Sequence, residues 1–399
     1  MISVEEALAH VLALAQPLPS EEIPLAQAAG RVLAAPVVAH RDQPPFAASA
    51  MDGYAIADAD PQPGARYRVI GESGAGHGFA GPLGPGQAVR IFTGAPIPTG
   101  GKRVIIQEDV TRTSDEIRLD TRLDTGLHIR PAGADFTVGD SLSAPRCLRP
   151  TDLALIAAMN SATVTVHRRP RVALIATGDE LVMPGEAPGP DQIIASNTFA
   201  LKAMAESVGA EGRLLPIAAD REEALQEVLN LAQDADLIVT IGGASVGDHD
   251  LVGKVAESMG LERAFYKIAM RPGKPLMAGR LHGAAMLGLP GNPVSSIVCG
   301  HIFMLPMLRA MQGLPAKAPP RARAELACDL GPNGERAHYM RARLSSGAGL
   351  PRITPFERQD SALLAILTEA DALLIRPVGD GPRKAGELVD YLPLQPATG

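Results

Sequence analysis

From about residue 169 the chain alternates continuous apolar runs with amphipathic ones, and this alternation constrains the fold more than any other feature. "RVALIAT" (171–177), "GRLLPIA" (212–218) and "DLIVTIGG" (236–243) read as buried strands. "SNTFALKAMAESVG" (196–209), "DREEALQEVLNLAQ" (220–233) and "DLVGKVAESMG" (250–260) read as helices. Asp220, with Glu223 three residues on, has the pattern of a helix cap with a capping box. Further apolar runs, "AFYKIAM", "PLMAGRL" and "AAMLGLPGNP", precede the helix "VSSIVCGHIFMLPML". Strands without polar alternation, separated by helices, predict a parallel sheet covered on both faces, a doubly wound α/β domain over 169–314.

The rest of the chain has other textures. Residues 1–45 hold a helix capped by Ser3 and Glu6, with Val4, Leu8, Val11 and Leu12 on one face, then a connecting arm. We group this segment with 138–168 as a linker domain. Short strands broken by Gly and Pro make 46–137 a β-rich domain, and alternating segments such as "RAHYMRARL" predict a small C-terminal β-barrel or sandwich over 315–399.

Open parallel sheets bind ligands beyond the carboxyl ends of their strands. Three strand ends here carry Gly-bearing polar turns: "ATGDEL" (176–181), "GGASVGDHD" (242–250) and "LPGNPVSS" (289–296). Glycine amides at helix N-termini bind anions, phosphate above all. A fourth loop, "KIAMRPGKP" (267–275), adds Lys267, Arg271 and Lys274. Acids on some loops and bases on another point to a phosphorylated ligand with a divalent metal between phosphate and carboxylates. Each loop alone is as readily a plain βα connection, and Asp250 alone a carboxylate on a helix dipole. Their gathering at one sheet edge favours the ligand reading.

Other chemistries fit poorly. A net charge of −7, no Trp and 3% aromatic residues disfavour nucleic acid. "GAGHGF" (74–79) and "GAPIPTGGKR" (94–103) depart from the dinucleotide and P-loop patterns. No stretch of about twenty apolar residues or signal-like start is seen, and three scattered cysteines predict reduced thiols in the cytoplasm.

In this order and spacing, "PPFAASAMDGYA" (44–55), "RIFTGAPIP" (90–98), "ATGDEL", "GGASVGDHD", "RPGKP" and "LPGNPVSS" resemble the molybdopterin molybdenumtransferase family, which includes MoeA and the E domain of gephyrin. The resemblance spans essentially the whole chain. It implies a homodimer of four-domain subunits that converts adenylylated molybdopterin and molybdate to molybdenum cofactor and AMP, with Mg²⁺. It also implies that the second domain of one subunit closes over the α/β site of the other.

The acids then fall on Asp52, Asp179, Glu180, Asp220 and Asp250, with Asp179, Glu180 and Asp250 as candidate Mg²⁺ ligands. Thr93 is the matching hydroxyl, and Lys267, Arg271 and Lys274 match the basic loop, where Arg271 replaces a frequent Lys. The amides of Gly242, Gly243 and Gly247, with Ser245, are expected to cradle the pterin phosphate. Pro290, Gly291, Asn292 and Ser295 join the substrate site, and Arg336, Arg341 and Ser361 are placed near molybdate. The molybdopterin adenylyltransferase is a candidate partner. Two other readings are a molybdopterin adenylyltransferase itself, which would lack the flanking domains, and a gephyrin-like peptide-anchoring scaffold, which would not need the intact acid and base set.

Overall fold

A computed structural model describes residues 1–243, 251–347 and 349–394. Its central sheet has six strands, in the spatial order Glu211–Leu214, Arg171–Ala176, Leu237–Ile241, Ala284–Leu289, Met277–Leu281 and Glu262–Tyr266. The first four are parallel. Side-chain alternation along Arg171–Ala176 divides the core: Val172 and Leu174 face one apolar cluster, Ala173 and Ile175 the other. Helix Asn197–Ser207 and the helical run Pro293–Met311 contribute to the first cluster. Helices Glu222–Asn230 and Leu251–Ser258 contribute to the second, so the domain is doubly wound.

Two departures from the expected sheet have local causes. The strands Met277–Leu281 and Glu262–Tyr266 are antiparallel, so the sheet is mixed. Only His282 and Gly283 separate Leu281 from its partner Ala284, with φ of 49° and 86°. Two successive positive φ angles are the signature of the tight turn that matches strand twist, and no crossover fits in two residues. Nor does Asp220 cap a helix: that helix begins at Glu222, its cap position is Arg221, and no side chain caps it.

The helical run Pro293–Met311 meets the length and composition of a membrane span, yet 78% of its apolar window is buried inside the protein. It is the core helix of the α/β domain. The first helix, Val4–Leu14, has the expected reciprocal Ser3–Glu6 cap. Its buried residues Val4, Ala7, Leu8 and Val11 join the α/β core beside Phe265, Ile302 and Tyr339. A cap contributes about 1 kcal/mol. Each fully buried aliphatic side chain contributes about 1.5–3 kcal/mol, so packing holds this helix more than capping does.

Strands from both flanks of the second domain share one sheet, ordered Ser20–Pro24, Thr163–His167, Val32–Leu33 and Arg146–Cys147. The second domain is a six-stranded sheet curled into a half-barrel. Five C-terminal strands close a barrel, because Ala337–Ser345 pairs with both Arg352–Pro355 and Ala372–Arg376. A short strand of the basic loop, Met270–Arg271, adds in parallel to Ala337–Ser345 and joins barrel to α/β domain.

Candidate active site

The carboxyl ends of three parallel strands open into a cleft of about 720 Å³. Thr177 and Gly178 line it after the first strand, Gly242 and Gly243 after the second, and Pro290, Gly291 and Asn292 after the third. Glycine is required at the middle position. Gly242 and Gly243 have φ of +100° and +63°, and a Cβ on either would lie within 3.0 Å of Thr177 atoms. The Gly242 amide donates to Leu289 O at 3.1 Å, so it is committed to the sheet and does not cradle a phosphate as expected. The Gly243 amide has no partner among the described residues. Ser245, Gly247 and Asp250 lie outside the described residues.

Three acids gather at the mouth. Glu180 and Asp220 line the cleft, and the Asp220 amide donates to Asp179 Oδ1 at 3.1 Å. Partial burial raises the Asp220 carboxyl above its usual range, and the charges of Asp179 and Glu180 raise it further. No basic side chain pairs with any of the three among the described residues. Mutually repelling carboxylates without a counter-cation, beside the unpartnered Gly243 amide, are the donor type that Mg²⁺ takes, but they supply only part of a site. Among the described residues alone, no three acids are close enough to form a complete metal group.

The barrel reaches the same cleft. Ser361 O accepts the amide of Val294, at the start of the core helix, at 3.1 Å, and Ala362 and Leu364 line the wall. Ser295 is buried in the first turn of that helix. Arg341 is 1% exposed, and its guanidinium donates to the carbonyls of Arg358 and Leu363 and to Gln359 Oε1. These bonds hold the loop that bears Ser361.

We therefore expect Arg341→Ala to destabilise the protein by about 2–3 kcal/mol, since it removes three part-buried hydrogen bonds and leaves a cavity where a fully buried side chain stood. A denaturant midpoint unchanged from the parent protein would contradict this role.

Positive charge converges where the basic loop meets the barrel. Burial pushes His338 down to about 4, with Arg271, Arg341, Arg376 and Arg336 adding in that order. Lys267 has φ of 69° and places its Nζ over the Tyr266 ring. The side chains of Lys267, Arg271 and Lys274 do not line the cleft, although the adjoining Pro275 does.

In the second domain, Thr93 donates from both N and Oγ1 to Asp52 Oδ1, each at 2.8 Å. These bonds hold the Asp52 carboxyl below its usual range, and Arg90 lowers it further. The two residues meet because Gly53–Ile56 and Gln87–Ile91 pair antiparallel with Gly53 opposite Ile91. None of the described residues of 46–137 lines the cleft.

Three cleft residues escaped sequence reading. Asn197, the first residue of helix Asn197–Ser207, donates from Nδ2 to Gly291 O at 2.6 Å and fixes that turn. The apolar pair Ile193–Ile194 lines the opposite wall from a Pro- and Gly-rich stretch that carries no motif.

The chain matches the MoeA N-terminal region (domain I and II) over residues 2–160, the probable molybdopterin binding domain over 173–310, and the MoeA C-terminal region (domain IV) over 323–394. It is 36% identical to a molybdopterin molybdenumtransferase of Nostoc sp. over 94% of this chain and 88% of that protein. The chain belongs to the molybdopterin molybdenumtransferase family. A Haemophilus influenzae molybdopterin molybdenumtransferase is 34% identical over 98% of each chain. A molybdopterin biosynthesis MoeA protein from Pyrococcus horikoshii superposes with a TM-score of 0.85 at 29% identity, covering 99% of this chain and 100% of that one. The molybdopterin molybdenumtransferases are transferases of molybdenum cofactor biosynthesis, and so is this protein. Matches across all three regions do not favour the adenylyltransferase or scaffold readings.

Proposed function

We propose that the protein inserts molybdate into adenylylated molybdopterin with release of AMP, as a Mg²⁺-dependent homodimer. One observation carries this reading: the barrel loop of Ser361 abuts the strand-end cleft that holds the acids and the glycine turns. That contact supports a reading in which the loop expected to hold molybdate lies beside the cleft expected to hold phosphate.

The phosphoanhydride lies between the turns at Gly243 and Gly291–Asn292, whose amides bind and orient the phosphates. Glu180 and Asp220, with Asp179 held at the Asp220 amide, are the described residues that would hold Mg²⁺; Asp250 is the further ligand implied by the family resemblance. A metal held there would supply positive charge to neutralise the phosphate and polarise the attacked phosphorus. Lys267, Arg271, Lys274 and Arg336 draw the molybdate dianion toward Ser361, whose hydroxyl donates to it. A molybdate oxygen or a water adds to the adenylate phosphorus and the bond from that phosphorus to the bridging oxygen breaks; molybdopterin phosphate departs with the electron pair, and the attacking oxygen stays on the phosphorus released as AMP. The dithiolene sulfurs then displace oxygen from molybdenum. No protein nucleophile takes part. The unpaired thiols of Cys147, Cys299 and Cys328 support a reducing compartment, the cytoplasm.

The test is AMP release from adenylylated molybdopterin. Release should require both molybdate and Mg²⁺ and stop on chelation; release indifferent to molybdate would overturn the reading. Ser361→Ala should raise the molybdate concentration for half-maximal rate about ten- to a hundredfold, since a bond to a charged group contributes roughly 1.5–3 kcal/mol. Excess molybdate should restore its rate. An unchanged molybdate dependence would remove the barrel loop from the site.

A further inference from the structure

We propose that Leu181, Ile193 and Ile194 form an apolar shelf that takes the flat heterocycle of the substrate. This deepens the reading of the cleft given above and rests on it. The cleft volume of about 720 Å³ is far more than a phosphate or a tetrahedral oxyanion fills. Pockets of roughly 300–1,000 Å³ are those that enclose organic ligands of cofactor size. A large organic group must therefore share the opening with the charged end.

The lining shows where that group lies. Acids and glycine turns occupy the strand-end wall, while Leu181, Ile193 and Ile194 occupy another. These three sit on two short parallel strands, Leu181–Val182 and Ile193–Ile194, at the base of a tongue that leaves and re-enters the cleft rim. Ile193 is 58% exposed and Ile194 39% exposed. Single exposed aliphatics are ordinary on a surface, but adjacent ones lining a concave site mark a contact for something apolar.

Among the described residues no aromatic side chain lines the cleft, and the apolar surface they offer a flat ring is aliphatic carbon. The shelf is also tied to the charged end. Ile193 N donates to Glu180 O at 2.7 Å, and Glu180 is one of the cleft acids. A ring on the shelf and a phosphate at the glycine turns are therefore held at a fixed separation. Both a pterin and an adenine have the required chemistry, and a binding experiment separates them.

The double variant Ile193→Ser/Ile194→Ser removes the shelf while changing only exposed side chains. Binding of AMP, ribose 5-phosphate, a pterin phosphate and inorganic phosphate is measured by calorimetry on parent and variant. We expect one of the two ring-bearing probes to bind the variant at least about tenfold more weakly, one aliphatic burial contributing upward of 1.4 kcal/mol. The two ring-free phosphates should bind both proteins equally, and Ile194→Leu should retain parental affinity. Loss for AMP assigns the shelf to adenine, and loss for the pterin phosphate assigns it to pterin. Unchanged binding of both ring probes, equal loss for the ring-free phosphates, or a variant that loses only subunit association would each overturn the shelf. AMP release by the parent protein tests the reaction separately, so a failed shelf leaves that assay standing.

Discussion

Asp220→Asn should lower turnover by about 10²–10³-fold, the usual scale for losing one preorganised electrostatic group, and raise the melting temperature at pH 7–8. The opposite signs share one cause. Asp220 is held above its usual range by burial first, then by Asp179 and Glu180. The folded state therefore binds this proton more tightly than the unfolded state does. Ionised Asp220 destabilises the ligand-free fold, fully so above its folded-state pKa, and the penalty vanishes as pH falls through the titration. Asparagine keeps the shape without the charge, so the variant's advantage in melting temperature should shrink as pH drops toward the ordinary carboxylate range. Mg²⁺ should raise the melting temperature of the parent protein more than that of the variant. A variant less stable than its parent at every pH would point to a structural role for the carboxyl and remove Asp220 from the charged centre.

The strands of the α/β domain were legible because each lies buried on both faces and needs no polar alternation, as in "RVALIA" and "LIVTI". Strand direction was not legible for Met277–Leu281, since a short apolar run reads alike in either sense. The His282–Gly283 turn carried the missing information. Asp220 was read as a cap because Asp followed by Glu three residues on is the capping pattern, whereas here tertiary placement decides its use. The family resemblance placed Arg341 near molybdate. Its burial and its three acceptors within 358–363 instead make it a support for the Ser361 loop. The apolar wall at Ile193–Ile194 left no trace in periodicity, because it consists of two residues between loops rather than a repeating face.

Mixing two inactive proteins, Asp52→Ala and Asp220→Ala, should restore activity to about a quarter of the parent value, by the statistics of a two-fold symmetric dimer. Asp52 is ionised and ready: two bonds from Thr93 hold its carboxyl low, and it is only partly exposed. Yet no described residue of its domain lines the cleft of the same chain. We propose that this charge, held beside the strands Gly53–Ile56 and Gln87–Ile91 and away from its own cleft, serves the cleft of a second copy.

Under that arrangement, each mixed dimer has one site built from two unmutated parts and one site carrying both substitutions. After full exchange about half of the dimers are mixed, and one of their two sites is intact, which gives the quarter. Were Asp52 and Asp220 to serve the same chain's site, each subunit would carry its own defect into the dimer, and mixing would restore nothing. Exchange should be verified with mass-tagged subunits before assay. Verified mixed dimers with no activity would sink the shared site. They would leave Asp52 and Thr93 as a structural clasp between the strands Gly53–Ile56 and Gln87–Ile91.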